Sequence, residues 1–338
     1  MTGKERIKAY VSGTEVDHLP FMPIVMSLVA QELKVPYRRF CTDHRLIAQG
    51  QLAFAERYGA DHLCVVTDPT VESADLGQPV IWYDDEPPAN DEVQSLLMDK
   101  TALAHLKPVA PDQGRRMSNR VLAVRELAEK AGKDLLVEGW VEGPCAEASD
   151  LRGLSRLMMD FYDDPAFVRD LFALCTEQGI AFAQAQIDAG AEIVAVGDAA
   201  SSLMGPEIFE SFTREYHQAY VKAIHAKGAL ARLHICGNTR ALMPLIRDIP
   251  YDIVDIDHLT DMAQSRASLG PDRVILGKVH TVAVMRDGTV EAVRSSLEEI
   301  YQDAGSKNYI VSAGCEIPRD SPPANLHAML EFAMTKRV

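Results

Sequence analysis

The sequence predicts a mixed α/β fold, a (β/α)8 TIM barrel with a small β excursion after its second strand. Three observations carry that expectation. Short apolar runs alternate with longer amphipathic stretches, eight such runs follow from Phe21 onward, and nearly every run ends on a residue able to ligate a metal or move a proton. Repeated strand-helix order implies parallel pairing, and eight units favour a closed barrel over an open doubly wound sheet. The whole chain, 1–338, is expected to be one such domain.

Residues 5–11 read as a leading helix stopped by Ser12-Gly13, and 21–26, apolar and bounded by prolines, as the first strand. Residues 45–58 carry Leu46, Ile47, Leu52, Phe54 and Ala55 at helical spacing and stop at Gly59. The second strand, 62–68, ends on Asp68. Residues 69–93 then interrupt the alternation: 78–84 alternate like a solvent-facing strand, and Pro87-Pro88 with Asn90-Asp91 are loop material, so this stretch is the β excursion and a candidate lid. A helix over 119–132 leads to a strand from 135 that runs into the Gly143-Pro144 turn, followed by helices over 154–161 and 165–189, the latter opened by Pro165. Strands at 192–198, 230–236, 252–257, 273–280 and 309–313 follow, separated by helices over 206–227, 239–248, a short one from 262, and 289–304. A helix over 323–336 closes the chain.

Composition bounds the function. With 25% charged and 47% hydrophobic residues this is an ordinary globular composition, and no apolar run approaches the roughly 20 residues of a membrane span. The first seven residues contain no apolar segment of signal-peptide type, so a cytoplasmic protein is expected. A net charge of −15 argues against a nucleic-acid partner. The six cysteines are scattered without a framework spacing, which suits free thiols, two of them available to a metal.

Barrel enzymes place their chemistry at the carboxyl ends of the strands. Here those ends supply Asp68, Glu142, Asp198, His234 with Cys236, Asp257 with His258, His280, and Cys315 with Glu316. Singly, each has a plain alternative as a cap or loop residue. Jointly they suggest a site. His234 and Cys236, two apart on an extended strand, point the same way, and in a barrel the fifth and eighth strands open onto one cavity, where Cys315 would be a third soft ligand. Three ligands with an open fourth position suit a zinc ion (Zn2+) that does chemistry. Arg232, Arg240, Lys278 and Arg319 are expected near the mouth as candidates to hold an anionic tail.

The His234-Ile235-Cys236-Gly237-Asn238 stretch, Asp198 with Ser201-Ser202 and Gly205-Pro206-Glu207, the Glu142-Gly143-Pro144 turn, Gly314-Cys315, and the opening from Lys4-Glu5-Arg6-Ile7 to Asp17-His18-Leu19-Pro20 resemble the uroporphyrinogen decarboxylase superfamily over essentially the whole chain. More narrowly they resemble its zinc-containing methylcobamide:coenzyme M methyltransferases and related corrinoid methyltransferases. The resemblance implies zinc on His234, Cys236 and Cys315, and methyl transfer between a methylcobamide carried on a separate corrinoid protein and a small thiol such as coenzyme M. Glu142 and Asp198 lie in the family-like segments, and Asp68 matches the aspartate that ends the second strand in the decarboxylases, so these three are the candidate catalytic carboxylates. The alternatives it leaves are a corrinoid-dependent O-demethylase or methanol-type methyltransferase, a uroporphyrinogen decarboxylase, and a non-catalytic zinc-containing partner of a corrinoid protein. Decarboxylases carry an arginine-bearing loop after the first strand for a highly anionic tetrapyrrole; residues 21–34 contain no arginine.

Overall fold

Strands of a parallel sheet are covered on both faces, so they are apolar throughout rather than alternating, and the apolar runs become the staves of a barrel. A computed structural model describes residues 1–337. Its strands are β1 (His62–Cys64), β2 (Val80–Ile81), β3 (Ala89–Asn90), β4 (Leu136–Glu142), β5 (Ile193–Gly197), β6 (Leu230–His234), β7 (Ile253–Ile256), β8 (Val274–Val279) and β9 (Tyr309–Ala313). Seven of them form one parallel sheet in the order β1-β4-β5-β6-β7-β8-β9. The excursion after β1 is the antiparallel pair β2–β3. No helix among the described residues is long and apolar enough to cross a membrane.

The first expected stave closes the barrel without forming a regular strand. Phe21 makes a single parallel bridge to Val311 of β9, where the Met22 N–H reaches the Val311 carbonyl at 3.0 Å and the Val311 N–H reaches Pro20 at 2.9 Å. On its other side the Phe21 carbonyl accepts from the Asp61 N–H at 3.0 Å, next to β1. Pro20 and Pro23 have no N–H to give, so the ladder cannot extend past this bridge. Ring closure therefore joins residues from opposite ends of the chain.

The barrel interior is ionic at mid-height, where branched aliphatic side chains usually fill such a core. Arg232 of β6 is fully buried and donates to both oxygens of Glu138 on β4 at 3.0 Å and to Asp255 on β7 at 2.7–3.1 Å. His62 of β1 stands 3.2 Å from the other face of Glu138. This placement corrects the expectation that Arg232 lies at the mouth: it is two residues before His234 on the same strand face, hence one layer deeper.

Some helices differ from the expected ones. The helix expected over 119–132 spans Arg115–Ala131, because the Asp75 carboxylate accepts from the Arg116 and Met117 N–H groups and caps its start from another element. Gly143-Pro144 opens a helix, Pro144–Arg152, with proline at its first turn where the missing N–H costs nothing. The stretch expected as one helix over 206–227 is broken into Pro206–Ile208, a wider turn at Phe209–Thr213, and Arg214–Ala226; that over 239–248 shrinks to Met243–Ile246.

Candidate metal centre

His234 ends β6 and Cys236 follows on the same side, as strand alternation requires. The chain then turns at Gly237, whose φ of 96° suits glycine, and the Gly237 N–H is held by Asp257 at 2.8 Å. Cys315 follows β9 through Gly314, where a Cβ would lie 2.8 Å from the His258 nitrogen and 3.1 Å from the Asp257 Cα. Only a residue without a side chain lets the loop after β9 lie this close to the loop after β7.

The three donors converge. His234 Nε2 is 2.9 Å from Cys236 Sγ and 3.6 Å from Cys315 Sγ, and the two sulfurs are 3.1 Å apart. Tetrahedral bonds of about 2.3 Å would space two sulfurs roughly 3.7 Å apart, so a spread of about half an ångström seats an ion among them. All six cysteines are free; Cys41, Cys64, Cys145 and Cys175 are buried, and only Cys236 and Cys315 are half-exposed. Among the described residues this is the one His/Cys/carboxylate group close enough to share a metal ion.

Behind it, His234 Nδ1 meets Asp255 Oδ2 at 2.7 Å, so the carboxylate orients the ring and leaves Nε2 facing the sulfurs. Asp255 is in turn held by Arg232, and the Trp140 ring packs against the imidazole with centroids 5.5 Å apart. Burial opposes charge on His234, but Asp255 and Cys315 outweigh it and raise the imidazole to about 10. The hydrogen bond from Cys236 and the adjacent imidazole push the Cys315 thiol well below its usual value, and sharing with Cys315 pushes Cys236 up. A metal ion needs both sulfurs as thiolates and the imidazole neutral, so binding one there releases protons.

In front of the trio lies a cavity of about 150 Å³, walled by Ile24, Met26, Val66 and Trp140 and edged by Asp68, Glu142 and Glu316. Glu142 ends β4; its Oε1 accepts from Trp140 Nε1 at 3.1 Å, and its N–H donates to Glu72 at 2.9 Å. Burial, then Glu72 and Asp150, raise the Glu142 carboxyl well above the ordinary range, and burial raises Glu72 to about 7. Glu147 nearby is raised in the same way, and both its oxygens are buried without a protein partner among the described residues.

The other expected carboxylates have different surroundings. Asp68 also edges the cavity, but its oxygens are engaged by Arg116 at 2.7 Å, Arg120 at 3.4 Å, Thr67 at 2.6 Å and Thr70 at 2.7 Å. Those guanidiniums overcome burial and hold it below the usual range. Asp198 is fully buried beside the cavity, its oxygens taken by the Ala146 N–H at 2.6 Å, Ser201 at 2.6 Å and His217 at 3.0 Å. Of the cations expected at the mouth, Lys278 donates to the Thr260 carbonyl at 2.6 Å, and Arg319 is engaged by Gln31 and the Asp85 carbonyl. None of Arg232, Arg240, Lys278 and Arg319 lines the cavity. His258 and His280 stack on the rim with ring centroids 3.9 Å apart, His258 held by Asp257 at 2.5 Å.

Sequence reasoning missed Asp255, Glu72, Arg116 and Arg120. For Asp255 a signal existed, since an arginine and an aspartate stand mid-run in adjacent apolar strands, where a buried charge needs an opposite one nearby. Glu72 sits in a helix, Val71–Leu76, inside the stretch expected as a β excursion.

A family model described as Uroporphyrinogen decarboxylase (URO-D) matches residues 2–335. The chain is 30% identical to the methylcobamide:CoM methyltransferase MtbA of Methanosarcina mazei over 70% of its own length and 68% of that protein. It is 25% identical to MtbA of Methanosarcina acetivorans over 98% of this chain and 97% of that one. A solved methyltransferase from Methanosarcina mazei superposes with a TM-score of 0.85 at 22% identity, covering 98% of both chains, which shows the shared fold.

Proposed function

The chain belongs to the uroporphyrinogen decarboxylase family, and from that premise we propose that it transfers a methyl group between a corrinoid and a small thiol. The observation that carries this reading is the converging trio His234, Cys236 and Cys315 at the floor of a small cavity, in a chain whose relatives are methylcobamide:CoM methyltransferases. Two thiolates and an imidazole are a donor set that suits zinc. Zinc held there would supply the charge that keeps an incoming thiol as its thiolate near neutral pH.

The rest falls to the protein's own side chains. Asp255 fixes the His234 tautomer, and Arg232 fixes Asp255. Glu142, which edges the cavity with Oε1 on Trp140, accepts the thiol proton at Oε2 in its ionised form. The sulfur's electron pair then forms the S–C bond, and the carbon–cobalt pair stays on the corrinoid as Co(I). Ile24, Val66 and Trp140 keep water from the reacting carbon. Asp68, tied to two arginines, shapes the wall; Asp198 is a positioning residue that pins the start of the helix after Glu142. The corrinoid arrives on a separate protein that docks on the rim, where Leu203, Leu259 and Val282 are exposed in the segments after β5, β7 and β8.

The cavity does not favour decarboxylation: about 150 Å³ without a lining cation does not suit a highly anionic tetrapyrrole. The test is metal analysis of reduced, chelator-free protein, joined to an assay with methylcobalamin and thiols that follows Co(I) formation. Near-unit zinc and thiol-dependent Co(I) are expected, both lost in His234→Ala. Absence of zinc, or turnover undiminished by that substitution, would refute the reading.

A further inference from the structure

Arg116, which holds Asp68 at the edge of the metal-site cavity, also lines a second cleft of about 410 Å³. Arg38, Arg115, Asp75, Asn119 and Trp82 stand around it, and it shares no lining residue with the cavity. Its acceptors are already engaged. Asp75 takes the Arg116 and Met117 N–H groups, Asn119 Oδ1 takes the Arg120 guanidinium, and Gln78 Oε1 takes the Leu96 N–H. Its donors are not. Arg38 and Arg115 are exposed, and among the described residues neither guanidinium reaches a carboxylate or a carbonyl. Arg116 is only 5% exposed, and its Nε has no partner. Arg38 and Arg116 both lie over the Trp82 ring, 5.3 and 5.1 Å from its centroid, which holds two like charges beside one another.

The charges around the cleft do not balance. Arg38, Arg115, Arg116 and Arg120 face Asp68 and Asp75, which leaves two positive charges uncompensated in a chain whose net charge is −15. Asp84 and Asp85 of the excursion offer carbonyls, to the Arg38 N–H and to Arg319, and their carboxylates pair with neither Arg38 nor Arg115. We propose that this cleft is a binding site for a phosphate monoester, taken through its doubly charged head. Such a head carries close to two negative charges near neutral pH, and its three terminal oxygens accept from planar guanidiniums. A carboxylate or sulfonate would meet the same donors with half that charge. The volume lies within the range of about 300–1,000 Å³ that small-ligand clefts occupy, so an organic remainder fits beside Trp82.

The test is calorimetric titration of the whole chain at about pH 7.5 and constant ionic strength, where a monoester is doubly charged. The probes are phenyl phosphate, inorganic phosphate and benzenesulfonate, the last matching the first in shape with a single charge. Phenyl phosphate is expected to bind about tenfold more tightly than benzenesulfonate, and Arg38→Gln and Arg115→Gln each to weaken it about tenfold. Both side chains are exposed, so the fold survives their loss, and Arg240→Gln, an exposed arginine outside the cleft, should change nothing. Inorganic phosphate bound as tightly as phenyl phosphate assigns recognition to the head alone; weaker binding adds a contribution from the remainder beside Trp82. No saturable heat with either phosphate, benzenesulfonate bound as tightly as phenyl phosphate, or affinity unmoved in both substitutions overturns the proposal. The readout is binding, so its outcome is independent of whether the protein transfers methyl groups.

Discussion

Glu138 and Glu142 are both buried on β4, four residues apart, and their surroundings drive them in opposite directions. Burial resists ionisation at each. At Glu138 the Arg232 guanidinium and His62 overcome it and pull the carboxyl down to about 2. At Glu142 the neighbours are Glu72 and Asp150, so burial and repulsion add and the carboxyl moves well up. Depth is common to both, and the sign of the nearest charge decides. Mid-barrel, Glu138 is matched with a cation and serves the scaffold; at the cavity, Glu142 has no cation beside it, in contrast to Asp68 with its two arginines.

The largest expected effect comes from removing the shared cation. Arg232→Met strands Glu138 and Asp255 in the core and should lower stability by about 3–5 kcal/mol, read by denaturant unfolding. A loss under about 1 kcal/mol would mean that pairing does not hold Glu138, and the contrast would collapse. Glu142→Gln tests the other member: methyl transfer to thiol should fall on the order of a hundredfold while the midpoint of unfolding at neutral pH holds or rises. Stability lost in parallel with activity would make Glu142 a scaffold residue after all.

Asp255→Asn keeps the shape of the residue between Arg232 and His234 but removes its charge. Metal affinity, measured by competition with a chromophoric chelator, should drop about 10–100-fold; unchanged affinity would detach the ionic layer from the metal trio. The smallest effect is a pH slope. Glu138, depressed in the folded state, contributes stability present above its unfolded value and lost as pH falls through about 2. Glu72, raised, contributes stability present below its unfolded value and lost as pH rises through about 7. Glu72→Gln should therefore gain on the order of 1 kcal/mol relative to the unsubstituted protein between pH 5 and pH 8. Parallel pH–stability curves for the two proteins would show that Glu72 does not titrate in this window.

The convergence of His234, Cys236 and Cys315 was legible in the sequence because two rules suffice for it: alternation sets His234 beside Cys236, and barrel strand ends bring Cys315 across. The same alternation places Arg232 with His234, so the expectation that Arg232 faced an anionic tail erred in height rather than face. What stayed hidden depends on contacts between distant elements. Asp68 could be read as a strand end, but Arg116 and Arg120, which hold its charge, come from a helix capped by Asp75 of another segment. Asp198 could be read likewise, yet Ala146, Ser201 and His217 occupy its oxygens. The stave at residues 21–26 was read as a strand, whereas Pro20 and Pro23 limit it to one bridge.

That single bridge gives the molecule an order of assembly in time. While the chain is being synthesised, Phe21 waits for Val311, and the seam between them stays open until residue 311 has emerged. Cys315 arrives four residues after Val311, so the third soft ligand becomes available only as the ring shuts. A ribosome-bound or truncated chain offers an ion only His234 and Cys236. Capture of an ion by all three donors would then follow closure of the seam, and a chain cut before Cys315 would lack one of them.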